Sequence, residues 1–172
     1  ARFNLCGDET YDLGKRTPDA APADLARQYV DHVRFVQKEA ARHGKSLMFW
    51  GDMLLKHPEA ISALPPGCEI LDWAYFPSNR FEKCGEFISR GLPTTVCPSV
   101  RGFGRVFNAV EEARVVLAKY ARTGQKLGAR GLLNTDWGDY GHFNMPPCAL
   151  HGLALGAQLA WNPANDEGAA FD

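Results

Sequence analysis

Apolar residues along this chain fall into two alternating patterns. Short apolar runs are separated by longer stretches where apolar positions recur at helical spacing. The short runs predict strands at residues 3–6, 46–50, 68–75, 93–100 and 131–135. Between them, residues 24–43 predict a helix with Leu25, Tyr29, Val33, Val36 and Ala40 on one face. Lys38, Arg42 and His43 near its end suit the helix dipole, and Gly44 stops it. A short helix is predicted within 58–64, before the turn Pro65-Pro66-Gly67. Residues 80–90 predict a helix capped by Gly91. Residues 109–121 predict a strong helix, with Val110, Ala113, Leu117 and Tyr120 on one face. A helix rich in small residues is predicted at 146–161, with proline at its start. Residues 10–22 are broken by Thr10, Gly14, Thr17, Pro18 and Pro22 and read as a loop, and 162–172 as a polar tail.

Strict strand–helix alternation with strands apolar throughout implies an α/β fold, with a parallel sheet covered on both faces by helices. Polar or aromatic residues cluster at the C-terminal end of every strand. They are Asp8-Glu9, Trp50 to Asp52, Trp73 to Tyr75, Arg101, and Asp136, Trp137 and Asp139. In a (β/α)8 TIM-barrel all such ends converge on one face, where the site lies. No strand is followed by G-x-G-x-x-G, and Gly102-x-Gly104 lacks the rest of that pattern. There is no Walker loop, so neither a dinucleotide fold nor a nucleotide-phosphate loop is expected.

The run at 3–6 leads straight into adjacent carboxylates, Asp8 and Glu9. Burial and like charge at an apolar strand mouth push two such pKa values apart, giving one proton donor and one anion. The competing reading is a helix start, where both acids are favoured by the dipole.

At 172 residues and 45% apolar composition the chain suits one domain with an ordinary core, taken as residues 1–161 ahead of the tail. A net charge of −1 gives no electrostatic reason to expect nucleic acid or an anionic membrane as partner. No apolar run approaches the roughly 20 residues of a membrane span. The chain opens with neither a basic region nor a cleavage site, so no signal peptide is expected. The five cysteines are widely spaced with no C-x-x-C, and Cys6 and Cys97 read as small buried hydrophobes. The five histidines lack ligand spacing, and only His142 lies beside other candidate chemistry. No metal and no cofactor are expected.

Three of the four tryptophans, Trp50, Trp73 and Trp137, fall at strand ends beside carboxylates. A sugar presents an apolar C–H face and a rim of hydroxyls, so aromatic surface next to carboxylate suits it. Gly7-Asp8-Glu9, Phe49-Trp50-Gly51-Asp52, Trp73 and the run Thr135 to His142 resemble the motifs of family 20 glycoside hydrolases, the β-N-acetylhexosaminidases. The resemblance implies a glycan substrate ending in N-acetylhexosamine and strands four to eight of the family barrel. Strands one to three, with an Arg that grips the sugar, are then expected ahead of Ala1. It further implies that Glu9 is the general acid/base, kept protonated by an apolar site. Asp8 orients the 2-acetamido group and offsets its charge. Trp50, Trp73 and Trp137 wall the pocket, and Asp139 binds sugar hydroxyls, with Asp52 and Asp136 at the neighbouring strand ends. The acetamido carbonyl, not a protein carboxylate, is then the nucleophile, an exception to the two-carboxylate rule.

Two departures stand out. The family's strand-seven Tyr is missing from Val96 to Arg101, leaving Tyr75 or Tyr140 to supply that hydroxyl. Arg101 could reach the mouth in place of the family's Arg, but it lies among glycines, where an exposed loop residue is the more usual reading. Two other functions compete. One is a two-carboxylate glycosidase using Asp52, Asp136 or Asp139 as nucleophile, and the other is a non-catalytic sugar-binding half-barrel. Five strands of an eight-stranded barrel leave two open edges, so self-association through them is also expected.

Overall fold

The computed structural model describes residues 1–141 and 143–165. The fold is mixed α/β, with strand order β1-β2-β3-β4-β5 and parallel pairing. The chain divides into two compact units, Ala1–Leu71 and Asp72–Asp172.

The first unit holds β1 (Arg2–Asn4), α1 (Pro22–Arg42), β2 (Ser46–Trp50), α2 (Asp52–Lys56), a 3-10 turn (Pro58–Ala63) and the start of β3 (Glu69–Trp73). β1 pairs with β2 through Phe3 opposite Leu47, and β2 with β3 through Phe49 opposite Ile70. The ladder runs on past β1, because Leu5 N–H donates to Met48 O and Trp50 N–H to Cys6 O, both at 2.9 Å. The predicted face of α1 is buried at Tyr29 and Val33, and Tyr29 packs edge-on against Phe49. Gly44, at φ 64°, takes the left-handed turn after α1 that a side chain resists.

The second unit takes β3 from Asp72 onward, β4 (Thr94–Cys97), α4 (Val110–Leu127), β5 (Gly131–Leu132) and α5 (Leu150–Trp161). A 3-10 turn (Phe81–Cys84) runs into a one-turn helix, α3 (Gly85–Ile88). A 3-10 turn at Pro146–Ala149 precedes α5. Ala74 N–H bonds Cys97 O, and Val96 pairs with Leu132. Val96, Phe81, Val116 and Tyr120 form one core cluster, and Leu117, Ala121, Leu155 and Leu159 another.

Several expectations are corrected. The strand predicted at 3–6 is shorter, and it is not buried, with Phe3 48% exposed. Cys6 is exposed rather than a core residue, because its φ of 64° turns the chain out of the strand. Strands are not apolar throughout, since β3 buries both Glu69 and Asp72. Glu69 is paired with Arg2 at 3.1 Å. The 80–90 helix is a 3-10 turn plus one α turn. Helix α2 was not anticipated, since only Gly51-Asp52 marked the strand end. Helix α4 continues to Leu127, well beyond 121, because Gly124 acts as a contact and not a break. A Cβ there would lie 3.0 Å from both Val96 methyls. Residues 166–172 of the expected tail fall outside the described residues.

Gly152 on α5 makes a similar close approach. A Cβ there would meet Val100 Cβ at 2.9 Å and its Cα at 3.3 Å. Gly152→Ala should destabilise the protein by about 1–3 kcal/mol, the usual cost of overpacking. Equal urea midpoints for the variant and the wild type would show that α5 shifts freely.

Candidate functional site

In the first unit the carboxylates follow a backbone that leaves the β region. Cys6, Gly7 and Glu9 have φ of 64°, 70° and 44°. For residues other than glycine this region is disfavoured, so specific bonds must hold it. Asn4 Oδ1 accepts the Cys6 N–H at 2.9 Å, and the Tyr29 hydroxyl donates to Gly7 O at 3.0 Å. Glu9 N–H donates to Asp52 Oδ2 at 3.0 Å, and Tyr11 N–H donates to Glu9 O at 2.6 Å. No helix starts at Asp8 and Glu9, so the dipole explanation for these acids is corrected.

The two acids sit in unequal surroundings. Asp8 is half-buried, and burial raises its pKa against its own backbone hydrogen bond, with Asp52 and Glu9 adding to the rise. Glu9 is exposed, so the expected apolar enclosure of Glu9 is corrected. The Tyr11 phenol titrates above its ordinary value, first through a hydrogen bond with Glu9. Burial raises the Tyr29 phenol strongly. Trp50 is buried at 3% exposure, and Asp52 at 8%. A cleft of about 800 Å³ lies beside Asp8, walled by Thr10, Leu13, Tyr29 and His32.

The second unit brings three predicted residues together. Trp73 and Tyr75 stack with centroids 5.0 Å apart and planes 22° apart. Trp137 Nε1–H donates to the Tyr75 hydroxyl at 2.8 Å. Phe103 adds a fourth ring, 5.8 Å from Tyr75. Asp136 and Asp139 are exposed, and Tyr140 is 89% exposed with φ 59°. His142 lies outside the described residues.

Residues that sequence reasoning missed hold this cluster in place. Lys83 Nζ donates to Trp73 O at 2.7 Å and lies 5.1 Å from the Trp73 ring centroid. It also pairs with Asp72 at 3.3 Å, and Asp72 is only 1% exposed. Burial raises the Asp72 pKa, offset by Lys83 and the Tyr120 hydroxyl. Arg101 is buried at 2%, not exposed as expected from its glycine neighbours. Its guanidinium lies 4.2 Å from the Phe76 centroid and 4.7 Å from Phe103, and pairs with Glu112. That hydrogen bond lowers the Glu112 pKa. The signal for Arg101 was the aromatic pair Phe76 and Phe103, since guanidinium stacks on aromatic faces.

Among the described residues no group of three His, Cys, Asp or Glu side chains is placed to hold a metal ion. Among them, too, no helix is long and apolar enough to cross a membrane. The chain matches no protein-family model and no curated protein.

Proposed function

We propose that the protein is a retaining exo-glycosidase that removes terminal β-linked N-acetylhexosamine by substrate-assisted catalysis. In this reading its strands are the C-terminal part of a (β/α)8 barrel, and its sheet edges favour self-association. The observation that carries it is the adjacent pair Asp8 and Glu9, held after a parallel strand in unequal surroundings. The stacked rings of Trp73 and Tyr75, with the Trp137 indole bonded to Tyr75, support a sugar-ring substrate. Tyr75, within that cluster, suits the acetamido-facing hydroxyl better than the nearly fully exposed Tyr140.

Glu9 protonates the glycosidic oxygen as the bond to the anomeric carbon breaks. The acetamido oxygen attacks that carbon from the other side and forms a cyclic oxazolinium. Asp8 opposes the positive charge that grows on the acetamido nitrogen. Glu9 then takes a proton from water, which opens the ring with net retention. Glu9 is open in the free protein, so a substrate can reach its carboxyl directly.

Glu9→Gln tests the reading. Hydrolysis of an N-acetylglucosamine disaccharide should fall by about 10²–10⁴-fold, the usual worth of a general acid. An aryl glycoside with a good leaving group should lose much less. Equal losses on both substrates would remove Glu9 from the acid role.

A further inference from the structure

We propose that Asp52 is a positioning residue for Glu9, acting through the Glu9 backbone amide rather than through the sugar. This rests on Glu9 being the acid/base. Glu9 has a φ of 44°, a region that a residue with a Cβ avoids. Its carboxylate is aimed by that backbone, so whatever fixes the φ also fixes the acid. Two bonds do so from opposite sides of the residue: Glu9 N–H to Asp52 Oδ2 at 3.0 Å, and Tyr11 N–H to Glu9 O at 2.6 Å. The bond to Asp52 spans 43 residues of sequence and ends on a charged acceptor. A charge-assisted bond is roughly twice as strong as a neutral one.

Asp52 is itself well anchored. It is the first residue of α2, right after β2, and Gly51 N–H donates to Leu71 O at 2.9 Å. Its side chain is buried, yet its second oxygen, Oδ1, has no hydrogen-bond partner. Lys56 Nζ is 3.8 Å from Oδ2 and half-exposed, a weak compensation. A buried carboxylate satisfied on one side is costly, and packing alone would favour an apolar residue there. The same charge faces Asp8, Tyr29 and Tyr11 and raises the pKa of each. Asp52 therefore does two things to the pair: it holds the Glu9 backbone, and it discourages ionisation of Asp8.

Amide hydrogen exchange in this chain, read by NMR, is the first test. Glu9 N–H should be protected in the wild type, and Asp52→Ala should speed its exchange by about 10- to 100-fold, the worth of a bond to a charged group. Asp52→Asn keeps an acceptor oxygen and should retain most of the protection. Met48 N–H, within β2, serves as the folding control. A wild-type Glu9 amide that exchanges like an open loop amide overturns the proposal, even if the alanine variant fails to fold. Kinetics is the second test. Asp52→Ala should lower kcat by about 10²-fold with KM unchanged, as a misplaced catalytic group does. The loss should be larger for the disaccharide than for the aryl glycoside, and the asparagine variant should recover most of it. The acid limb of its pH profile should also move down, because Asp8 no longer faces that charge. Equal losses on both substrates, or a change in KM alone, would count against positioning. Should Glu9→Gln retain full activity, Glu9 is not the acid and the reading on which this proposal rests fails, while the exchange result stands. Should Glu9→Gln behave as an acid mutant while Asp52→Ala matches wild type, only the positioning role fails.

Discussion

Asp8→Asn is expected to lower kcat about 10²–10³-fold, the usual loss for one electrostatic partner of a transition state, with little change in KM. The substitution keeps the shape but removes the charge and turns one acceptor into a donor. The lost attraction is to a charge that exists only as the oxazolinium forms, so rate suffers more than binding. The surroundings of Asp8 sharpen this expectation. Burial, with Asp52 and Glu9 beside it, raises its pKa, so its anion gains from a nearby positive charge. A developing cation in the substrate would supply that charge. The sign for pH follows. Activity that needs the Asp8 anion is lost as pH falls through its raised pKa, so the acid limb should lie above that of an ordinary aspartate. Stability runs the other way: the contribution of Asp8 is full below its unfolded pKa and is lost as pH rises through the folded one. A thiazoline mimic of the cyclic intermediate should bind the wild type tightly and Asp8→Asn far more weakly. The competing two-carboxylate mechanism predicts a covalent ester on Asp52, Asp136 or Asp139 after treatment with a 2-fluoro glycoside. A stoichiometric sugar adduct on any of them, seen by mass spectrometry, would sink the substrate-assisted reading.

The pattern of short apolar runs and helical faces was enough to read the order of the elements. It placed β2 at Ser46–Trp50 and the buried face of α1, because burial and period agree there. It failed where the backbone departs from either period. The chain from Cys6 to Glu9 looks like a strand running into a helix, yet three of its residues take left-handed φ. That conformation is held by Asn4, Tyr29 and Asp52, partners up to 43 residues away, which local pattern cannot reveal. Gly124 and Gly152 illustrate a second limit. A glycine inside a helical pattern reads as a weak point, but here each lets a helix approach a valine closely, Val96 in one case and Val100 in the other. The candidate site was legible as residue types, not as environments. Strand-end aromatics marked Trp50, Trp73 and Trp137 as a group; the structure links Trp73 and Trp137 through Tyr75, while Trp50 is buried in the first unit. Nothing in the apolar pattern of β3 separated Asp72 from its neighbours, since a buried carboxylate depends on a lysine and a tyrosine supplied by later elements.

Asp72→Ala is expected to be the most destabilising of the substitutions considered, at about 3–5 kcal/mol, the cost of breaking a buried pair from one side. Asp72 is 1% exposed. It takes the Tyr120 hydroxyl on Oδ2, and Lys83 Nζ lies 3.3 Å from Oδ1. Removing the carboxylate leaves a largely covered ammonium without its charge partner and takes one acceptor from the buried Tyr120 hydroxyl, which keeps the backbone carbonyl of residue 72 at 2.9 Å. Lys83 keeps its bond to Trp73 O, which places the loss toward the lower end of that range. Asp72→Asn should cost less, because the amide oxygen still accepts from Tyr120 or Lys83. It should also change the pH dependence. Burial raises the Asp72 pKa more than Lys83 and Tyr120 lower it. Its contribution to stability is therefore full below the unfolded pKa and is lost as pH rises through the folded one. In Asp72→Asn that fall in stability should disappear. The same network fixes the site, because Lys83 lies over the Trp73 ring. Asp72→Ala should thus change tryptophan fluorescence under native conditions as well as lower the urea midpoint. A midpoint equal to wild type, with unchanged fluorescence, would mean that Asp72 neither holds this unit together nor braces its aromatic cluster.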